Sequence, residues 1–238
     1  MAEFWTGLGI VCLYFVIAAS AAVVVRLCTP VPHEVFRKTL HMILLGSLLV
    51  WVLAYDTWWM AAVSALLFAL VVWPILALAE RLKGYSALLT ERRSGELKHS
   101  LLIVFAMFAL VVTVCWGWRG DRMLAVASVY AWGFGDAAAA LVGKRFGKHG
   151  LEGRHIEGHK SVEGTLAMFG VSFVCVLAIL LVRGGLVWYL YPVIALVTAA
   201  VSALVELFTL DGMDTITCPL AAMAVLLPML HILGGGLV

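Results

Sequence analysis

The sequence has few charged residues. Asp, Glu, Lys and Arg together make up 13% of its 238 positions, and apolar residues make up 64%, whereas soluble domains average roughly a quarter charged and half apolar. This composition excludes an ordinary soluble domain. It predicts a polytopic membrane protein built from helices, because a helix satisfies its own backbone hydrogen bonds within lipid.

The sequence also lacks paired cysteines and any strong excess of charge. Its five cysteines lie in or beside apolar runs and show no CxxC spacing, so neither a zinc site nor a disulfide framework is indicated. The net charge of +2 gives no reason to expect nucleic acid as a partner. No Lys or Arg precedes Arg26, so the first apolar run is predicted to be a retained span and not a secretory signal.

Eight apolar runs are long enough to cross a bilayer, which takes about 17 to 20 residues. They cover residues 7–26, 38–55, 58–79, 100–118, 122–142, 165–182, 186–206 and 216–233. Of the 16 Lys and Arg residues, 13 fall in the first, third and fifth connections. The positive-inside rule then predicts both termini outside and a cytoplasmic active face. We therefore expect one all-α integral membrane domain over residues 1–238, in a cell (inner) membrane.

A carboxylate lies inside the fifth predicted span, at Asp136. An acid at this depth costs a few kcal/mol unless it faces a polar cavity or a partner, so it indicates function. The small residues of Gly133–Ala140 allow a neighbouring helix or a ligand to approach closely. The structural alternative is a packing face with Asp136 paired to an Arg, and the same face is compatible with a homo-oligomer.

The connection over residues 143–164 combines glycines with basic residues. Gly143 and Gly147 alternate with cations that include Lys144, Arg145 and Lys160. Backbone N–H groups exposed by glycine and cations that neutralise phosphate together suit a polyphosphate site. Basic residues beside a cytoplasmic membrane face are equally what topology and anionic lipid would select.

The sixth predicted span follows directly on Lys160-Ser161-Val162-Glu163-Gly164-Thr165. Lys160 and Glu163 are three residues apart, on one side of a helical turn whose N–H groups can bind an oxyanion. The alternative is an ordinary helix start with Ser161 as the N-cap.

A second basic cluster opens the second span at Arg37, Lys38 and His41. Positions 37 and 41 are four apart and therefore share one helix face. Anchoring at the cytoplasmic face explains Arg37 and Lys38 but gives no reason for a histidine at the start of an apolar helix.

Acids end the seventh span and fill the connection after it. Glu206, Asp211 and Asp214 are predicted to lie on the same side of the membrane as residues 143–164. With Asp136 and Glu163 they can surround one polar pocket, and such oxygen ligands suit magnesium bound together with substrate phosphates. For Asp214, a helix N-cap is the structural alternative.

These motifs together resemble those of the CTP-dependent polyprenol kinase family, which includes dolichol kinase, phytol kinase and the yeast-type diacylglycerol kinase. The resemblance is carried by Asp136 with its small neighbours, Gly143-Lys144-Arg145-Phe146-Gly147, Lys160–Thr165, Arg37-Lys38-x-x-His41 and Glu206…Asp214. Residues 92–99 look like a feature of bacterial members. Thr215 departs from the asparagine that often follows the late aspartate in the family.

The resemblance implies transfer of the γ-phosphate of CTP to the hydroxyl of a membrane lipid alcohol, namely a polyprenol, phytol or diacylglycerol. We expect Lys144, Arg145 and Lys160 to hold the triphosphate, and Asp136 with Asp214 or Glu206 to bind magnesium. Glu163 is expected to orient Lys160 or the metal. The remaining nucleotide-site residues are Ser161, Gly143, Gly147, Arg37, Lys38 and His41.

Three matters stay open at this point. Either Asp136 or Asp214 can serve as the base for the lipid hydroxyl. A phosphatidate cytidylyltransferase making CDP-diacylglycerol also uses CTP, although its longer C-terminal signature is missing. An ion-coupled transporter using Asp136 is the alternative from another class, and the lack of repeated halves argues against it.

Overall fold

The computed structural model describes residues 2–81, 95–153, 156–209 and 213–233. The elements within these ranges are α1 (Ala2–Cys28), α2 (His33–Ala54), α3 (Trp58–Ala79), α4 (Glu96–Val112, continued by a π-helical turn over Thr113–Trp118), α5 (Arg122–Phe146), β1 (Gly150–Gly153), β2 (Ile156–Ser161), α6 (Val162–Arg183), α7 (Leu190–Phe208) and α8 (Asp214–Leu233). They form two compact units, Met1–Thr113 and Val114–Val238.

In the described part of the chain, eight helices are long and apolar enough to cross a membrane. This confirms the eight predicted spans, and their bounds shift by about five residues at most. Many large apolar side chains on these helices are exposed, for example Leu13, Val16 and Ile17 on α1. Such surfaces suit a lipid environment, and the chain is an integral membrane protein.

The all-α prediction misses one element. Strands β1 and β2 form an antiparallel hairpin in which Gly150 lies opposite Ser161 and Leu151 opposite Lys160. The regular pairing is interrupted between Leu151 and Gly153. Because an isolated two-stranded hairpin is marginally stable at best, its position depends on what its ends contact. β2 leads directly into the first turn of α6.

The first unit is built around an aromatic cluster. The rings of Phe15 and Phe68 stack with centroids 4.8 Å apart, and the ring of Phe105 lies edge-on to that of Trp51 at 5.0 Å. The buried Trp51 indole donates to Ser64 Oγ at 2.7 Å. The cluster therefore combines apolar burial with a satisfied polar group, as a buried tryptophan requires.

The second unit is organised around α5, which contacts each of the other three helices of that unit. Small residues of α5 permit a close approach to α6, as the sequence predicts. A Cβ added at Gly135 would meet Met168 Cγ at 2.9 Å. A Cβ added at Gly164 would meet Ala139 O at 3.0 Å and Gly143 Cα at 3.4 Å. Gly143 and Gly164 therefore lie where the backbones of α5 and α6 approach closely.

This close approach predicts the effect of alanine at position 164. Gly164→Ala should lower the free energy of unfolding in detergent by about 1 to 2 kcal/mol, because overpacking outweighs the gain in helix propensity. The matched control is Gly170→Ala on the same helix, where an added Cβ meets nothing within 4 Å. We expect Gly170→Ala to be neutral or stabilising in the same thermal unfolding assay. Equal stability of the two variants would contradict the close contact.

Candidate active site

Five structural elements of the second unit meet at one end of it: the end of α5, the hairpin, the first turn of α6, the end of α7 and the start of α8. The hairpin contacts α6 and α7. The Thr209 and Thr217 hydroxyls, 3.0 Å apart, connect the end of α7 to the first turn of α8. Polar residues that are far apart in sequence are thereby brought together.

Lys160 is the side chain that connects the hairpin to α7. Its ammonium lies 3.1 Å from Glu206 Oε1 and donates to the backbone carbonyls of Glu206, Leu207 (3.2 Å) and Thr209 (3.4 Å). A cation at this place neutralises a largely buried carboxylate and satisfies carbonyl groups at a helix C-terminus. Lys160 therefore has an evident structural role, and the carboxylate it contacts is that of Glu206.

Three carboxylates, those of Asp136, Glu206 and Asp214, lie close enough to interact electrostatically, and we call them the acid cluster. The charges of Asp136 and Asp214 both act on Glu206, and all three act on the buried Cys218 thiol. The structure thus brings three of the five predicted acids near one another, and the prediction that they share one pocket stays a prediction. Like charges at close range repel, and Lys160 compensates only part of this repulsion. Such a cluster favours the binding of a cation.

Asp214 is the first residue of α8 and is held from α5. The indole Nε1–H of Trp132 donates to Asp214 Oδ2 at 3.2 Å. The α8 helix starts through Met213, whose carbonyl accepts from the N–H groups of Ile216 at 3.0 Å and Thr217 at 2.9 Å. Asp214 thus lies in the first helical turn, where its carboxylate faces Trp132.

Glu163 lies in the first turn of α6, where its carboxylate faces the start of the hairpin. It accepts from His149 Nδ1 at 2.7 Å, and more weakly from the His149 N–H at 3.4 Å. The prediction that Glu163 orients Lys160 or a metal stays a prediction. In the structure Glu163 instead contacts His149, the residue that precedes β1.

The first N–H groups of α6 are largely used within the chain. The Val162 N–H donates to His149 O at 3.0 Å, and the Gly164 N–H donates to Ser161 Oγ at 3.1 Å. Ser161 is therefore the helix N-cap, as one of the two sequence interpretations held. Its hydroxyl is nearly buried. These contacts leave less of the helix N-terminus for an oxyanion than the sequence suggested.

Lys144 and Arg145 lie in the last turn of α5, because the helix continues to Phe146, beyond the predicted end of the span. Both side chains are at least partly exposed. Gly143 is also helical, and Gly147 follows as the C-cap with its N–H bonded to Gly143 O at 2.9 Å. The predicted glycine-rich loop is therefore a helix end plus a hairpin. Cations at a helix C-terminus are stabilised by the helix dipole, and their exposure also allows contact with an anionic ligand.

The second basic cluster lies on α2, in the first unit. Arg37 forms an ion pair with Glu34 at 2.5 Å, Lys38 is almost entirely buried and His41 is half-buried. The acid cluster lies in the second unit. The prediction that Arg37, Lys38 and His41 belong to the nucleotide site stays a prediction.

Magnesium was predicted at the acid cluster, and the donor chemistry fits it. In the described ranges no group of three or more His, Cys, Asp or Glu side chains is placed to hold a metal ion. Mg²⁺ bound with a nucleotide needs only one or two carboxylates, however, because phosphate oxygens and water complete its octahedron. Glu206 is paired with the Lys160 ammonium, whose charge opposes metal binding at that carboxylate, and the assignment of Asp136 and Asp214 as ligands stays a prediction.

Some predictions lie outside the described residues. They concern Asp211 as a further acid and the part of the 92–99 segment that precedes Gly95. The later part of that segment is described: Lys98 pairs with Glu80 at 2.6 Å, and His99 Nδ1 lies 2.6 Å from Gly95 O. These contacts are within the first unit.

Sequence reasoning missed two residues that the structure places against predicted ones, Trp132 and His149. Trp132 precedes Asp136 by four positions and so shares its helix face, a signal that was available in the sequence. His149 contacts Glu163 only because of the hairpin, which the sequence did not indicate.

Comparison with known proteins identifies a relative of nearly equal length. The chain is 28% identical over 230 residues to a phytol kinase from Synechocystis sp. (strain ATCC 27184 / PCC 6803 / Kazusa), an alignment that covers 92% of this chain and 89% of that protein. No family model matches the chain, and no solved structure matches it significantly.

Proposed function

We propose that this chain, a member of the polyprenol and phytol kinase family, is a lipid-alcohol kinase that transfers the γ-phosphate of CTP to the hydroxyl of a membrane alcohol. The observation that carries the proposal is the acid cluster, of which Asp136 lies on the same helix as the exposed cations Lys144 and Arg145. Phosphoryl transfer requires mainly positioning and charge neutralisation, and these residues are suited to both. The kinase activity of the relative points to the same reaction class.

In the proposed reaction, Lys144 and Arg145 contact the triphosphate from the last turn of α5. Lys160 contributes its charge from its position against Glu206. Both cations of α5 are exposed, so a soluble nucleotide can reach them. Their charge attracts phosphate, and Arg145 can bind two phosphate oxygens at once.

Asp136 and Asp214 are proposed to hold magnesium, which when bound neutralises the β- and γ-phosphates. Asp136 or Asp214 accepts the proton of the lipid hydroxyl. The hydroxyl oxygen forms a bond to the γ-phosphorus, the bond from that phosphorus to the bridging oxygen breaks, and CDP leaves. Asp136 lies within a membrane span and Asp214 at the start of one, a placement that suits an alcohol whose chain stays in lipid.

The acceptor is proposed to be a long-chain prenyl alcohol, with phytol the first to test. CTP as the donor follows from the motif resemblance, and the cytoplasmic position of the site follows from the charge distribution of the connections. The site is proposed to lie in the second unit.

An acceptor panel tests this function. Purified protein in lipid nanodiscs is given Mg²⁺, either CTP or ATP, and phytol, a polyprenol or diacylglycerol, and the lipids are analysed by mass spectrometry. We expect a phosphorylated alcohol with CTP, most abundant for a prenyl alcohol. No phosphorylated lipid from any combination, with protein that shows a cooperative thermal transition, would refute the kinase proposal. Activity with ATP alone would refute CTP as the donor.

A further inference from the structure

Trp132 is the residue of α5 that forms a hydrogen bond with Asp214 at the start of α8. Its side chain is 1% exposed, and its Nε1–H donates to Asp214 Oδ2 at 3.2 Å. Indole nitrogen is a donor only, so this bond gives the Asp214 side chain a defined orientation. Hydrogen bonds to charged groups contribute more than neutral ones, and their loss is felt most where the donor is buried.

The same helix carries Asp136, one turn further along. Residues four apart on a helix lie on one face, so Trp132 fixes Asp214 relative to Asp136 through a rigid element. Asp136 and Asp214 both act on Glu206, so each lies in the surroundings of that carboxylate. The orientation of Asp214 within the acid cluster therefore depends on the bond that Trp132 donates.

The start of α8 is held by contacts with its neighbours. Two described contacts tie this helix start to its neighbours, namely the Thr209–Thr217 hydroxyl pair at 3.0 Å and the Trp132 bond. The threonine pair sets the position of the backbone, and the Trp132 bond sets that of the carboxylate.

We propose that Trp132 is a positioning residue that holds the Asp214 carboxylate in the geometry required to bind the divalent cation together with Asp136. This inference rests on the proposed function, because it concerns the metal-binding part of the same site. Groups that orient metal ligands typically change metal affinity or activity by about 10- to 100-fold when removed. Trp132 itself contacts neither substrate nor metal in this proposal.

The test removes the indole N–H and measures metal binding as well as turnover. Trp132→Phe retains most of the apolar ring but loses the donor. Incorporation of 3-benzothienylalanine at position 132, which keeps the two-ring shape without an N–H, separates loss of the donor from loss of packing. Mn²⁺ affinity is measured by electron paramagnetic resonance in the presence of CDP, and turnover is measured as a function of Mg²⁺ concentration.

Trp51→Phe is the matched control. Trp51 is also 1% exposed and donates to Ser64 Oγ at 2.7 Å, within the aromatic cluster of the first unit. Both Phe variants should lose similar thermal stability. Only the changes at position 132 should weaken Mn²⁺ binding by about tenfold or more and raise the half-activating Mg²⁺ concentration accordingly.

The outcomes separate the two proposals. If both variants at position 132 turn over at the wild-type rate and bind Mn²⁺ with wild-type affinity, the proposed role of Trp132 is overturned. The proposed kinase function is then unaffected. Equal loss of Mn²⁺ affinity in Trp51→Phe would also overturn it, since the effect would then be general destabilisation. No turnover and no Mn²⁺ binding by folded wild-type protein would overturn both proposals.

Discussion

Asp136→Asn is expected to reduce phosphoryl transfer by at least about 100-fold while leaving the thermal unfolding midpoint within a few degrees of wild type. Groups that merely orient a metal ligand are worth about 10- to 100-fold, and loss of the ligand itself should cost at least as much. The amide is close in shape to the carboxylate but lacks its charge. Because Asp136 lies among the carboxylates of the acid cluster, removing its charge also relieves repulsion, so stability should not fall.

The matched control is Asp56→Asn. Asp56 is an exposed acid just before α3 in the first unit, and its described hydrogen bond is made by its backbone N–H, which donates to Glu3 Oε1 at 3.0 Å. We expect this variant to keep wild-type turnover. Initial rates at saturating CTP and Mg²⁺ compare the two variants. Retention of more than about one-tenth of wild-type activity by Asp136→Asn would contradict the proposed role of Asp136.

Lys160→Met is expected to lower the free energy of unfolding by about 2 to 3 kcal/mol, because loss of the ammonium leaves a mostly buried carboxylate without its ion partner. The Lys160 and Glu206 side chains are 20% and 14% exposed. Loss of one partner of a fully buried pair costs about 3 to 5 kcal/mol, and residual solvent contact reduces this figure. Met keeps the aliphatic part of the lysine, so the loss reports on charge and on the bonds to the end of α7.

A double-mutant cycle with Glu206→Gln isolates the ion pair. The Lys160→Met/Glu206→Gln protein should be less destabilised than the sum of the two single variants, because the unpaired charge is then absent. Lys148→Met, which removes an exposed cation just before the hairpin, should change stability by less than about 0.5 kcal/mol. Chemical denaturation in detergent measures all four variants. Strict additivity would contradict the contact between Lys160 and Glu206.

The sequence predicted the membrane spans well because the signal is physical and local. Each helix must bury about 20 residues in lipid, and uninterrupted apolar runs of that length are typical of membrane spans. The small residues of Gly133–Ala140 predicted the close approach of another helix or a ligand, and the structure identifies that neighbour at Gly135 as α6. The N-cap at Ser161 followed from residue type and position alone.

The polar connection was harder to predict. Residues 143–161 read as a glycine-rich loop, whereas the structure extends α5 to Phe146 and pairs β1 with β2. Glycine and charge patterns do not distinguish a ligand-binding loop from a hairpin, because both need turns and solvent-exposed polar groups. The partner of Lys160 was also beyond sequence reasoning, since Glu206 is 46 residues away along the chain and the local candidate was Glu163.

The acid cluster was predicted in part from the sequence and in part needed the structure. Its members were identified because acids within or beside membrane spans are costly and therefore informative. Their proximity was inferred from topology, which places the end of α7 and the start of α8 at the same side as the end of α5. The part played by Trp132 required the hydrogen bond to Asp214, because the two residues are 82 positions apart along the chain.

The destination of each CTP phosphorus tests the central claim most directly. Purified protein in nanodiscs is given phytol and Mg²⁺ with CTP labelled at either the γ- or the α-phosphorus, and label in the extracted lipid is counted for wild type and Asp136→Asn. Lipid-alcohol kinase activity predicts that only γ-label enters the lipid, with CDP released, and that Asp136→Asn lowers this incorporation at least about 100-fold. Incorporation of α-label, or of no label with any lipid alcohol, would contradict it.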